Sequence, residues 1–359
     1  MTAFDRHCRR IPPARSAVVI LSCTAFAAIA GCGSSGTPSG SKTPVVAGQS
    51  LSSVCAAGAT EGKVSFRDTT DADVFAKEVA AFERKYPQIK VDFGSQRPQD
   101  SVQRIVAEKQ ARHAIDVDAI AIDMPSAAPM IQQGLIEAVD WKAVGIPAGD
   151  ILPVQGTEFV RTQRIILGLG YNTTKLSAGD LPDTWDELVD PKWAGKVIVD
   201  PRGEYLSGLG IAWGQQRAVE WYKKLMATAK PMVVKGATAS LQKVITGEAE
   251  LTTSSHDSEV LEQKSKGAPV AIKYLDVVPT QDHYAIVVKG APHPNAAACF
   301  LGWWVSPDGG QAEQLKYEFK GNADTPKNMP ASSKLGAITT EAEAGLQGKV
   351  AEQFASLTK

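Results

Sequence analysis

From residue 64 onward the chain alternates short apolar strand signals with helical ones, and this alternation restricts the fold more than any other property of the sequence. Residues 64–66 form an apolar run, after which Phe75, Val79, Phe82 and Tyr86 recur at helical spacing until Pro87 stops them. Ile89, Val91 and Phe93 alternate with polar neighbours at strand period. A helix over residues 101–111, a strand over 117–122 and a helix ending at Gly134 follow. Farther on, residues 164–171 read as a strand, Thr184-Trp185-Asp186-Glu187 has capping-box spacing, and the strand 196–199 is closed by Asp200-Pro201. Helices carry Trp221, Tyr222, Leu225 and Met226, and then residues 241–245. Strands near Leu251 and over 270–275 and 284–288 precede a helix that begins near Pro294. This order predicts α/β architecture, a mostly parallel sheet covered by helices. Trp303 and Trp304, on the last of these helices, are expected in the core.

The N-terminus has the anatomy of an export signal: Arg6, Arg9, Arg10 and Arg15, an apolar stretch over residues 17–30, and a small-residue cleavage region. That stretch falls short of the roughly 20 apolar residues of a spanning helix, so removal of residues 1–31 is expected. Ile29-Ala30-Gly31-Cys32 resembles the bacterial lipobox, which implies cleavage before Cys32 and acylation of that cysteine. Residues 32–52 are Gly- and Ser-rich and read as a flexible tether, with folding expected from near Ser53. The expectation is a lipid-anchored, extracytoplasmic protein, with roughly 300 residues left for two domains or one large one.

Removing residues 1–31 takes away four Arg and one Asp, so 38 basic against 39 acidic residues become 34 against 38, a formal charge of −4. With no basic block along the chain, no nucleic-acid partner is expected. Cys8 and Cys23 leave with the signal, and Cys55 and Cys299 remain. In an oxidising compartment these two are a natural disulfide pair, two buried thiols being the other reading. The chain has no Gly-x-Ser-x-Gly elbow, His-Glu-x-x-His, phosphate-binding Lys loop or Cys-x-x-Cys, so neither catalysis nor a cofactor is expected.

Five segments carry a family resemblance. They are FERKYPQIKV (residues 82–91), GYNTTK (170–175), TWDELVDPKWAG (184–195), HPNAAA (293–298) and SPDGGQ (306–311). In this order and spacing the chain resembles the extracellular solute-binding proteins of ABC importers, in the branch that includes ferric-ion, phosphonate and polyamine binders. The resemblance implies a type II periplasmic-binding-protein fold, with two α/β lobes joined by two crossing strands around a ligand cleft. On that pattern residues 53–163 and 284–359 form the first lobe and 164–283 the second, with hinges near 164–168 and 283–287. Cys55 and Cys299 then share the first lobe, which favours the disulfide. The implied partners are a small solute, a membrane permease and its ATPase, and the protein itself is expected to be a monomer.

In open α/β sheets ligands sit beyond the C-terminal ends of strands, at helix N-termini. Four turns qualify: Arg67, Asp68, Thr69 and Thr70; Ser126 with Asp123; Arg202 with Tyr205; and Ser255, His256 and Asp257. His283 and Tyr284 lie beside the second expected hinge. Each turn taken alone also fits an ordinary helix cap. Arg67 and Arg202 with the hydroxyls suit an anionic small molecule such as a phosphonate, phosphate ester or carboxylate, which is the preferred ligand class. The alternative is ferric ion or a metal chelate, with oxygen and imidazole ligands from His256-Asp257, Gln281-Asp282-His283-Tyr284 and Asp68. Ferric binders of the family usually bring two adjacent tyrosines to the metal, and this chain has no Tyr-Tyr pair. A further alternative is a lipid-anchored receptor or adhesin without a transporter.

Overall fold

The computed structural model describes residues 48–322, 326 and 328–359. The signal segment, Cys32 and the tether up to residue 47 lie outside the described residues.

The chain runs α1 (Leu51–Glu61), β1 (Lys63–Asp68), α2 (Ala72–Lys85), β2 (Lys90–Ser95), α3 (Pro98–Gln110), β3 (Ala119–Ile122), α4 (Met124–Gln132) and α5 (Trp141–Val144). β4 (Ile151–Val154) turns into the long β5 (Thr157–Asn172). Next come β6 (Val197–Val199), α6 (Gly208–Trp213), α7 (Gln215–Thr228), β7 (Met232–Val233), α8 (Ala237–Ile245), β8 (Leu251–His256), α9 (Asp257–Ser265) and β9 (Val270–Lys273). β10 (Val277–Val287), α10 (Pro294–Trp304), α11 (Gly310–Glu318), β11 (Lys334–Gly336) and α12 (Glu341–Leu357) complete it. Local chemistry sets several boundaries. Asp71 caps α2 by accepting from Asp73 N at 2.9 Å. Thr184 accepts from Glu187 N at 3.3 Å, here opening a 3-10 turn, Trp185–Val189.

The principal strand order is β2-β1-β3-β10-β5-β8-β6-β7. β1 pairs in parallel with β2 and β3, and β6 in parallel with β7 and β8. Between these parallel patches β5 and β10 pair antiparallel with each other. β5 pairs with β4 and β10 through Ile166 and with β8 and β9 from Leu167 onward, so one strand serves both halves of the molecule. Both strands are longer than their apolar runs predict, β5 starting at Thr157 and β10 at Val277.

Each half has its own aromatic core. Phe66, Phe75, Phe82 and Phe300 pack with Trp303 and Trp304 under the first parallel patch. Cys55 on α1 is bonded to Cys299 on α10 within this cluster, Cα to Cα 4.8 Å. Trp185, Trp221, Tyr222 and Leu225 form the second core. Val350 and Phe354 of α12 belong to it as well, Phe354 stacking on Tyr222 at 4.2 Å between ring centroids. The sequence reading placed everything after residue 283 in the first lobe, and α12 departs from it. The close approach is possible because Gly210 on α6 has no side chain; a Cβ there would lie 2.5 Å from Val350 Cγ2.

One acid sits inside the first core. Glu78 is fully buried, and its Oε2 accepts from Trp304 Nε1 at 2.7 Å. Burial, and next the neighbouring Glu318, push its pKa well above the usual carboxylate range. A group raised in this way contributes fully below the unfolded glutamate pKa and loses that contribution as pH climbs toward the folded value. Glu78→Gln keeps the shape and an acceptor for Trp304. It is expected to gain on the order of 1 kcal/mol over the parent at about pH 8 and almost nothing at about pH 5. Urea unfolding at both pH values measures this, and equal differences would mean that Glu78 is ionised in the fold.

Candidate functional site

The strand ends and the crossing ribbon enclose a cavity of about 860 Å³. On the first half, Asp68 ends β1 and turns inward on its own backbone, accepting from Thr69 N at 2.6 Å and Thr70 Oγ1 at 3.0 Å. Thr69 and Thr70 therefore reach the cavity wall while Asp68 is buried behind them. Asp123 caps α4 by accepting from Ser126 N at 2.9 Å and also faces the cavity. Ser126 is buried off the wall, and its hydroxyl has no partner among the described residues.

On the second half, Asp200 ends β6 and holds Arg202 as a fork, Nε to Oδ1 at 2.9 Å and NH2 to Oδ2 at 3.0 Å. Arg202 also donates to Tyr205 OH at 2.8 Å and pairs with Glu204 at 2.8 Å, contacts that raise its pKa further. Its guanidinium is thus committed to two carboxylates of its own turn. Arg67, the other arginine of the expected anion site, is off the wall altogether. It donates to the Asp92 carbonyl at 2.9 Å and pairs with the Asp92 carboxylate at 3.2 Å, on the neighbouring strand. Both arginines on which the anionic-solute reading rested are neutralised within the protein.

His256, at the end of β8, lies against Tyr205 with 5.5 Å between ring centroids. Burial, followed by His283, Lys320 and Arg202, lowers its pKa to about 4, which keeps the imidazole neutral at physiological pH. Its Nε2 is buried and has no hydrogen-bond partner among the described residues. His283 also lines the cavity, and burial lowers its pKa too. Ser255 is enclosed in the sheet beside Gly170, Asp257 starts α9 with its pKa raised by burial to about 6, and Tyr284 turns to the opposite face of the ribbon toward Asp282.

Of the twelve ligand residues read from the sequence, Thr69, Thr70, Arg202, Tyr205, His256 and His283 share the cavity wall. Arg67, Asp68, Ser126, Ser255, Asp257 and Tyr284 are set back from it. The wall also includes Gln163 and Gln281 of the ribbon, Lys320, and Glu341, Gln347 and Glu352 of α12. Gln281 was already part of the metal reading, and for Gln163 the alternation along the crossing strand was a usable signal; α12 reaches the cavity only through tertiary packing. Acids Asp123, Glu204, Asp282, Glu341 and Glu352 outnumber Arg202 and Lys320 on this wall. Among the described residues no three His, Cys, Asp or Glu side chains converge as a metal cage.

Comparison with known proteins gives a consistent picture. The family model for bacterial extracellular solute-binding protein matches residues 77–335. Iron uptake protein A1 of Synechocystis sp. is 29% identical over 192 residues, 49% of this chain and 52% of that protein. The chain spans about half the length of the curated relatives it matches, 52% and 44%. Iron-bound HitA from Pseudomonas aeruginosa shares the fold with a TM-score of 0.63 at 19% identity, over 82% of this chain and 99% of that one. Trichodesmium IdiA (FutA), in complex with iron and citrate, does so with a TM-score of 0.63 at 17% identity, over 82% and 98%. The two-lobe periplasmic-binding-protein fold is shared with these structures. No helix among the described residues is long and apolar enough to cross a membrane.

Proposed function

Because this chain belongs to the bacterial extracellular solute-binding proteins, we propose that it is the substrate-binding component of an ABC importer and that its cargo is ferric iron chelated by a small carboxylate anion. The observation that carries the cargo assignment is His256: a neutral imidazole whose buried Nε2 has no hydrogen-bond partner among the described residues, on a wall rich in acids. Imidazole and carboxylate are suitable iron donors. The iron-named relative and the iron-bound structural neighbours support the same reading. Without a three-ligand cage among the described residues, and with a cavity far larger than a bare ion, a chelating anion would complete the coordination. Lys320 on the same wall would meet its outer oxygens.

Capture follows from where the donors stand. His256 and Tyr205 come from the second half, while Thr70 and Asp123 come from the first. Cargo touching both sets favours the closed arrangement by its extra affinity for that state. A permease would read the closed form and an ATPase drive release, with Cys32 carrying the lipid that holds the protein at the membrane surface. In this reading the lobes are residues 53–163 with 284–322, and 164–283 with α12.

Protein stripped of metal should be heated with ferric citrate, citrate alone, inorganic phosphate and a phosphonate. Ferric citrate at a hundred times its Kd is expected to add about 2.7 kcal/mol, a midpoint rise of several degrees, with citrate alone giving little. A rise with the phosphonate and none that depends on iron would return the assignment to an organic anion.

A further inference from the structure

The two strands that join the halves carry a buried ion network beside the cavity. Arg164 and Asp282 are cross-strand partners. The guanidinium grips the carboxylate as a fork, Nε to Oδ1 at 2.9 Å and NH2 to Oδ2 at 2.7 Å. Arg161 lies 3.8 Å from the same carboxylate and also pairs with Asp150. The Asp282 side chain is fully buried, and those of Arg161 and Arg164 are nearly so.

Residues three apart on a regular strand point to opposite faces, so Arg161 and Arg164 meet on one face only because the ladder is interrupted. Gln163 pairs with His283 and Arg161 with Tyr284, which leaves Thr162 as an extra residue on β5. Such a bulge re-aims the side chains that flank it. Here the neighbouring chain secures it: Gln311 Nε2 donates to Thr162 O at 3.0 Å, and Asn322 Nδ2 donates to Arg161 O at 2.7 Å. The opposite face of the ribbon then presents Gln163, Ile165, Gln281 and His283 to the cavity.

We propose that the Arg161–Arg164–Asp282 network is a positioning device that locks the register of the crossing strands and so sets the angle at which those four residues meet cargo. Register is weakly specified where a strand is polar on both faces, as this ribbon is, and a one-residue slip exchanges the two faces of a strand. A buried ion pair is weak evidence of stabilisation, because apolar replacements of similar volume are often as stable. What it supplies that they do not is direction: the fork fits one alignment of β5 on β10. The inference holds whatever the cargo.

The test is hydrogen exchange on the full chain carrying Arg164→Met with Asp282→Leu, a change that removes one positive and one negative charge and leaves Arg161 with Asp150. Amides over residues 160–166 and 280–285 are expected to exchange about tenfold faster, while those of β1 and β6 and the unfolding midpoint stay as in the parent. Unchanged exchange in the ribbon, or an equal increase in every strand, overturns the proposal. Should that variant not fold, Arg164→Lys, which keeps the charge and loses the fork, is measured the same way. Ribbon-specific acceleration upholds the lock, and parental or uniformly raised exchange rejects it.

Discussion

Replacing Cys55 and Cys299 together by alanine is expected to lower the unfolding midpoint by roughly 5–10 °C, the largest stability effect available to a change at two positions in this chain. The two cysteines are 244 residues apart in sequence, so the bond closes a loop that takes in most of the folded chain. Loop-closure entropy puts the stabilisation from so long a loop near 5 kcal/mol, and native disulfides deliver about 2–5. Much of the loss should appear at α1, a helix of 11 residues that reaches the body of the protein through α10. The contact is close, since a Cβ on Gly58 would stand 2.8 Å from Ala296 Cα. Both cysteines are buried, so the alanines also leave small voids. Reducing the parent protein separates the two causes: it breaks the bond without removing sulfur atoms. An equal fall on reduction assigns the effect to the cross-link, whereas a midpoint insensitive to reductant would show that packing alone holds α1 in place.

The parts of the fold legible in the sequence are those fixed by neighbours along the chain. Phe75 and Phe82 at helical spacing gave α2, and the Asp71 cap and Pro87 gave its ends, because these signals act within a turn or two. The crossing strands were shortened because their middles are polar. Arg161, Thr162 and Gln163 carry no apolar strand signal, yet they and Arg164 are all buried, their polar groups met by β10, α11 and the segment after it. In α12, Leu346, Val350, Phe354 and Leu357 recur at helical spacing and pack on the second core, a destination not legible in the sequence, since periodicity identifies an apolar face without saying which core receives it.

The site divides along the same line. Thr69, Thr70, Tyr205 and His256 could be found from the rule that ligands sit at strand ends. Arg67 obeys the rule in sequence and breaks it in space. Its guanidinium lies across β2, where Gly94 has no side chain to obstruct it and Asp92 supplies the counter-charge. Charge type at a turn therefore says little about ligand charge until the intramolecular partners are known. For Arg202 those partners are Asp200 and Glu204, and the same turn that looked basic is net acidic.

That inversion bears directly on the second large effect expected here. His256→Ala should weaken ferric citrate binding at least tenfold, about 1.4 kcal/mol or more, because removing even a residue that hydrogen-bonds to a metal ligand costs about 10–100-fold and this change removes the donor itself. The imidazole is ready for metal without first shedding a proton, since burial has already brought its pKa down to about 4. Arg202→Ala is the informative companion. It takes away a cation but leaves Glu204 on the wall and Asp200 buried behind it, so an iron-centred site should lose less from it than from His256→Ala. An organic anion held by guanidinium reverses the order, with Arg202→Ala the more damaging and His256→Ala nearly silent. Calorimetric titration of both variants with ferric citrate and with citrate alone yields the four affinities that distinguish the two cases. Parental affinity for ferric citrate in His256→Ala would remove this imidazole from the metal and leave the acids as the iron's protein donors.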